Sequence, residues 1–206
     1  QRPPYVLSDL QSEELNDLTQ LIARHGESAF EFKKPHRIQE KQWLKMCELN
    51  AEKALEQRLN QNKLAMERQL SLQSILELPE VPNRIECFDI SHSSGEHTKA
   101  SCVVFENGQP KSSDYRLFNI EGITEGDDYA AMHQALTRRY LRVVKGEILP
   151  PDLIIVDGGK GQMSQAQSVL KELNLSQIPL VGIAKGETRK PGLETLIIPH
   201  LNAEKM

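Results

Sequence analysis

Two aspartates in this chain interrupt or end runs of apolar, β-branched residues. In PDLIIVDGGKGQ, residues 151 to 162, the run stops at Asp157 and breaks at once into a glycine-rich turn bearing Lys160. A carboxylate at the C-terminal end of a buried strand stands where open α/β sheets gather their ligands. In RIECFDISH, residues 84 to 92, Asp89 is delivered in the same way from a strand reading Ile85 to Ile90. A third acid comes from GITEGDDYAAM, where Gly126, Asp127 and Asp128 open a helix. Asp127 is expected to cap that helix. Asp128, one residue further in, has no capping use and stays open to a ligand role. Carboxylates converging from different elements suit Mg²⁺ or Mn²⁺. Such a site can hydrolyse phosphodiesters, with two ions about 3.5 to 4 Å apart clamping the attacking and leaving oxygens.

Positioning those acids requires a sheet, and the sequence after Pro79 and Pro82 supplies one. The order reads β β β α β α β: strands 84–91, 99–106 and 113–119, helix 127–144, strand 152–157, helix 161–174, strand 180–184. Three strands in an antiparallel meander followed by crossovers give a mixed sheet. ENGQP at 106 to 110 supplies an Asn-Gly turn between the second and third strands. With the fourth strand beside the first, Asp157 falls next to Asp89. This is the ribonuclease-H-like arrangement: an α/β fold with a mixed five-stranded sheet flanked by helices.

The glycine-rich turn also invites a nucleotide-binding reading, which the spacing rejects. A P-loop needs glycine five residues before its Gly-Lys pair and a hydroxyl after it, and here Ile154 and Gly161 hold those places. Lys160, next to Asp157, suits a phosphate contact instead. Further local positive charge lies at Arg138, Arg139, Arg142 and Lys145 on the first crossover helix, and at Lys185, Arg189 and Lys190 after the last strand. Arg138, Arg142 and Lys145 fall on one helical face. Bulk charge gives no such help, because the net charge is −4 over 206 residues.

Residues 1 to 80 form a helical extension in this reading, and residues 81 to 206 the sheet domain. Leu15, Leu18 and Ile22 carry helical spacing up to Gly26, and Pro35 opens a new segment. From Gln39 to Leu78 breakers are few, and Leu44, Cys47, Ala51, Leu55 and Leu59 recur at intervals of three and four, which predicts one long amphipathic helix or two in series. It would pack on the sheet domain or serve as a docking helix. Cys47, Cys87 and Cys102 show no paired spacing and read as buried thiols in a reducing compartment. No run approaches the length of a membrane span, and the first residues lack the order of a signal peptide. A cytoplasmic protein is the expectation.

Taken together, CFDISH, GDDYAAM, VDGGKGQ and AKGETRKPGLETL resemble the C-terminal endonuclease region of the UvrC family of excinuclease ABC proteins. The likeness is close over residues 84 to 199 and extends more weakly back to about residue 36. It implies a ribonuclease-H-like nuclease of bacterial nucleotide excision repair that incises damaged double-stranded DNA on the 5′ side of a lesion, using Mg²⁺ or Mn²⁺ and working with UvrB after UvrA. Carried over by motif, Asp89, Asp128 and Asp157 match the family's catalytic and metal-binding carboxylates. Lys160, Arg138, Arg142 and Lys185 are the expected DNA and phosphate contacts. The resemblance also implies parts that this chain does not show: a GIY-YIG nuclease domain, a UvrB-binding segment, a histidine downstream of GLETL and helix-hairpin-helix motifs. His200 lies too soon after that segment to be the family's histidine, and His92, in the DISH motif, reads either as a better-placed local histidine or as a strand-end packing or hydrogen-bonding residue. The chain therefore reads as a piece cut within the nuclease domain or as a truncated gene product, with weak activity or none by itself. Its second reading is a catalytically silent docking module that works through the long helix.

Overall fold

The computed structural model describes residues 5–10, 13–17, 20, 31–93, 97–124, 126–185, 194–201 and 203–205. Contacts divide the chain into two units, residues 1–61 and 62–206. In the first, β1 (Tyr5–Leu7) pairs in parallel with β2 (Glu31–Lys33), a small sheet that the all-helical reading of this segment did not contain. Pro35 precedes α1 (Ile38–Leu76) as expected. Glu40 closes its start, its Oε2 accepting from the backbone N–H groups of His36 and Arg37 at 2.9 Å each. Those bonds hold the Glu40 carboxyl below the usual carboxylate range.

The long helix is continuous over 39 residues, but its expected amphipathic stripe is absent. Leu55 and Leu59 are exposed, as are Trp43, Met46, Leu49 and Leu64, and these apolar residues point in many directions around the axis. Cys47 on the same helix is exposed too, which corrects its expected burial; Cys102 is buried and Cys87 partly so. Only towards its C-terminal end does α1 bury one stripe, through Ala65, Gln69 and Leu76 at helical spacing.

The second unit is built on one mixed sheet of eight strands. The antiparallel part is β3 (Arg84–Ser93), β4 (His97–Glu106), β5 (Gln109–Pro110) and β6 (Arg116–Asn119). Asn107 and Gly108, at φ 52° and 71°, form the two-residue turn from β4 to β5 that the Asn-Gly pair announces. Then come α2 (Asp128–Val144), β7 (Leu153–Asp157), α3 (Lys160–Glu172) and β8 (Leu180–Ala184). β7 lies parallel between β3 and β8. The order β6-β4-β3-β7-β8 is the expected ribonuclease-H-like core. Two further strands, β9 (Thr195–Ile198) and β10 (Ala203–Lys205), extend the β8 edge antiparallel, and β5 adds a short rung on β4.

Alternation along the central strands divides the core. Phe88, Ile154 and Val156 face α2 and α3, packing with Met132, Leu136, Tyr140, Met163 and Leu170. Ile85, Leu153, Val181 and Ile198 face the other way and are covered by Leu76 and Leu78 at the end of α1. Burying each such side chain stabilises by about 1.5–3 kcal/mol. One charged cluster sits within the helix-covered layer. Glu86 on β3 is fully buried and accepts from Arg139 Nη2 at 2.6 Å, Arg139 Nε at 3.1 Å and the Tyr140 hydroxyl at 3.2 Å. Arg84 adds a 3.3 Å contact to Glu86 and reaches Asp114 at 2.8 Å. Arg139 is thus a core ion-pair residue and leaves the set of candidate DNA contacts.

Candidate functional site

Asp89 and Asp157 come together because their strands do. The parallel register pairs Phe88 with Val156, so the next residue on each strand is an aspartate. Both occupy odd-numbered positions on the face of Ile85, Cys87, Leu153 and Ile155. The third acid approaches from α2. Asp127 caps that helix as expected, its Oδ1 accepting from the Ala130 N–H at 2.9 Å, and this leaves Asp128 at the first helical position.

Electrostatics tie the three together. Burial lifts the Asp89 carboxyl above its ordinary value, the charge of Asp157 lifts it further and that of Asp128 adds a smaller push, while Lys185 and the Ile90 N–H pull it down. Like charges gathered in this way are stabilised in their ionised form by a nearby cation. In the structure the Lys185 ammonium supplies one, standing 3.3 Å from Asp157 Oδ2 with a largely exposed side chain. Oxygen donors on three elements around a cationic group fit a divalent ion in chemistry. Among the described residues, however, no three carboxylate, histidine or cysteine side chains already close on a single ion position.

The other expected contacts are dispersed. Lys160 opens α3 after Gly159, and its ammonium is taken by Glu204 Oε1 of β10 at 2.7 Å. Arg138 lies over the Phe118 ring at 5.4 Å and donates to the Asn119 carbonyl at 2.7 Å. Arg142 pairs with Glu147 at 2.9 Å. Arg189 and Lys190 lie outside the described residues. His92 is on β3, paired in register with Thr98. His200 bonds through Nε2 to the Leu76 carbonyl at 2.8 Å and ties the β9–β10 turn to α1, a packing role.

Sequence reasoning passed over Tyr129, which follows Asp128 and is 55% exposed. Its ring lies so close to Gly161 that a β-carbon there would overlap it. From Tyr129 an open groove of about 610 Å³ runs along α2 past His133 and Gln134 to Arg138. An exposed aromatic ring offers a flat apolar face at the mouth of that groove. The available signal was its position directly after two acids at a helix start.

Residues 73–205 match the family described as the UvrC RNAse H endonuclease domain. The UvrABC system protein C of Alkalilimnicola ehrlichii is 56% identical over 162 residues, covering 79% of this chain and 26% of that protein. That of Saccharophagus degradans is 57% identical over 156 residues, with 76% and 26% coverage. The chain thus spans about a quarter of the length of these relatives. Among solved structures, a Ciona intestinalis endonuclease V in complex with inosine-containing DNA overlaps partially, with a TM-score of 0.38, 16% identity and coverage of 59% and 57%. The matched span holds the whole eight-stranded sheet and all three aspartates, and the chain belongs to the UvrC RNase H endonuclease domain family.

Proposed function

We propose that this chain carries the metal-dependent endonuclease centre of a nucleotide excision repair nuclease, cutting damaged double-stranded DNA 5′ of the lesion in the bacterial cytoplasm. The observation that carries the reading is the placement of Asp89 and Asp157 at corresponding positions of adjacent parallel strands, with Asp128 at the start of α2. These three would hold Mg²⁺ or Mn²⁺. When bound, such ions supply a water of lowered pKa and neutralise charge on the phosphoryl oxygens. Asp89, lifted by burial and by its acidic neighbours, is a carboxyl whose ionisation such a cation would favour. Lys185, already at the acids, would meet the phosphate, while Lys160 and Arg142 would have to exchange their pairing with Glu204 and Glu147 for DNA. Family membership favours UvrB as the partner that brings the damaged strand, after loading by UvrA.

The test is a graft. Residues 73–205 of this chain replace the matching region of the Saccharophagus degradans relative, and incision of a lesion-bearing duplex is followed with UvrA and UvrB present. The graft is expected to cut 5′ of the lesion. With Asp157→Asn in the graft, that cut should fall by at least about a hundredfold. Equal cutting by both grafts would sink the assignment.

A docking role for α1 is favoured by one observation, the exposed Trp43, Met46, Leu49, Leu55 and Leu59 on its N-terminal portion. A pull-down with UvrB tests it. Loss of capture on deleting residues 1–61, with Mn²⁺ binding retained, is the expected result, and unchanged capture would exclude it.

A further inference from the structure

Lys185 follows β8 directly, one residue after Ala184, while Asp157 ends β7, and the register sets Asp157 against Ile183. Lys185 thus emerges beside the two acids from a third adjacent strand. Its ammonium lies 3.3 Å from Asp157 Oδ2, and its charge is felt at Asp89. The side chain is 67% exposed, so nothing in its packing prevents it from swinging away. Two other candidate phosphate contacts have acidic partners outside the centre: Glu204 for Lys160 and Glu147 for Arg142. The contact between Lys185 and Asp157 is made inside it.

We infer that Lys185 is a built-in, displaceable counterion of the nuclease centre: it neutralises Asp157 and Asp89 in the absence of metal and gives way to the arriving divalent ion. This rests on the metal-binding reading proposed above. An ion entering between the acids carries two positive charges into the place of one, and repulsion then drives the ammonium outward. The displaced lysine remains tethered at the rim, where a substrate phosphate would have to lie. Metal loading and capture of the scissile strand are thereby coupled through a single side chain. A lysine suits this role better than an arginine. Its charge is compact and flexible, whereas a guanidinium would grip the carboxylate through two parallel bonds and resist release.

The experiment is a Mn²⁺ titration by calorimetry on the full 206-residue chain in four forms: unaltered, Lys185→Met, Lys185→Arg, and Asp89→Asn with Asp157→Asn. Thermal melts in EDTA accompany each. Removing the competing charge should tighten Mn²⁺ binding in Lys185→Met by about three- to tenfold while lowering its metal-free melting temperature. Lys185→Arg should bind Mn²⁺ no more tightly than the unaltered chain. A lysine that merely supports the site structurally would instead give weaker binding in Lys185→Met, and that result, or equal affinity, overturns the inference. Binding by Lys185→Met alone, with none in the unaltered chain, would show a lysine that blocks the site without yielding to the ion, and would overturn the inference. If neither of those two forms binds Mn²⁺, or if the double aspartate variant binds as well as the unaltered chain, the metal reading itself fails and takes the inference with it.

Discussion

At the scale of the residue, the centre is a collection of like charges under strain, and Asp89 bears most of it. Its carboxyl titrates above the ordinary value, first because of burial and then because of Asp157. A carboxyl raised in the native state binds its proton more tightly there than in the unfolded chain. Its contribution to stability is therefore complete below the unfolded value of about 3.9 and disappears as pH rises through the higher native value. At neutral pH without metal, Asp89→Asn should consequently melt higher than the unaltered chain, by about 1–2 °C for a half-exposed group in a domain of this size. Scanning calorimetry in EDTA at pH 7 and pH 4 checks this: the gain should shrink at the lower pH. Added Mn²⁺ should reverse the order, stabilising only the chain with both acids. Asp89 and Asp157 were legible in the sequence because an acid that follows a buried β-branched run has few places to go. The destinations of the cations were not. Adjacent arginines on a helix point about 100° apart, so Arg138 can reach a surface carbonyl while Arg139 enters the core, and only the packed sheet decides which.

At the scale of the element, two local devices hold the site's frame. The first is the Glu86 cluster, which pins α2 to β3 three residues before Asp89. Glu86→Ala would leave the Arg139 charge buried without its partner, at a cost of about 3–5 kcal/mol. Urea unfolding should register that loss, whereas Arg142→Ala, at an exposed pair, should change stability by less than about 1 kcal/mol. The second is the turn of Asn107 and Gly108, which docks on α1. A β-carbon at Gly108 would stand 2.9 Å from that of Ala65 on a backbone of positive φ. Gly108→Ala should cost at least about 1–2 kcal/mol, also read by urea unfolding. That turn was legible from two letters, because few residue pairs accept positive φ twice. The end of the sheet was not: TLII after Glu194 is only four residues long, and a short apolar run becomes β9 only because β8 offers it an edge. The stripe expected on α1 failed for a related reason. Periodicity counts apolar residues but not the surface waiting for them, and on α1 that surface is met by Ala65, Gln69, Leu72 and Leu76 near its C-terminal end.

At the scale of the whole molecule, the sheet domain starts earlier than composition suggests. The prolines at 79 and 82 mark a change of secondary structure, whereas contacts place the boundary at residue 61, so the last turns of α1 belong with the sheet. A chain of residues 62–206 should fold and keep its Mn²⁺ affinity. A chain of residues 79–206 lacks Leu76 and Leu78 and bares Ile85, Leu153, Val181 and Ile198. It should lose several kcal/mol and aggregate. Circular dichroism melts and light scattering on the two truncations distinguish these outcomes, and equal behaviour would show that α1 is dispensable to the sheet.

The pairing of β3 with β7 also sets a tempo. Ile85 meets Leu153 across a long stretch of chain, and Asp152 Oδ2 fastens the junction by accepting the N–H groups of Asn83 and Arg84 at 2.9 and 2.8 Å. The β3–β4 hairpin can zip locally, but β7 must first be carried back over the whole of α2, a closure that slows folding. Asp89 therefore exists on a formed strand before Asp157 arrives beside it. In a refolding experiment, the capacity to bind Mn²⁺ should appear only in the slowest phase, after most of the helical signal has returned. A nascent chain passes through its half-built states with the acids of the proposed centre still in two separate pieces.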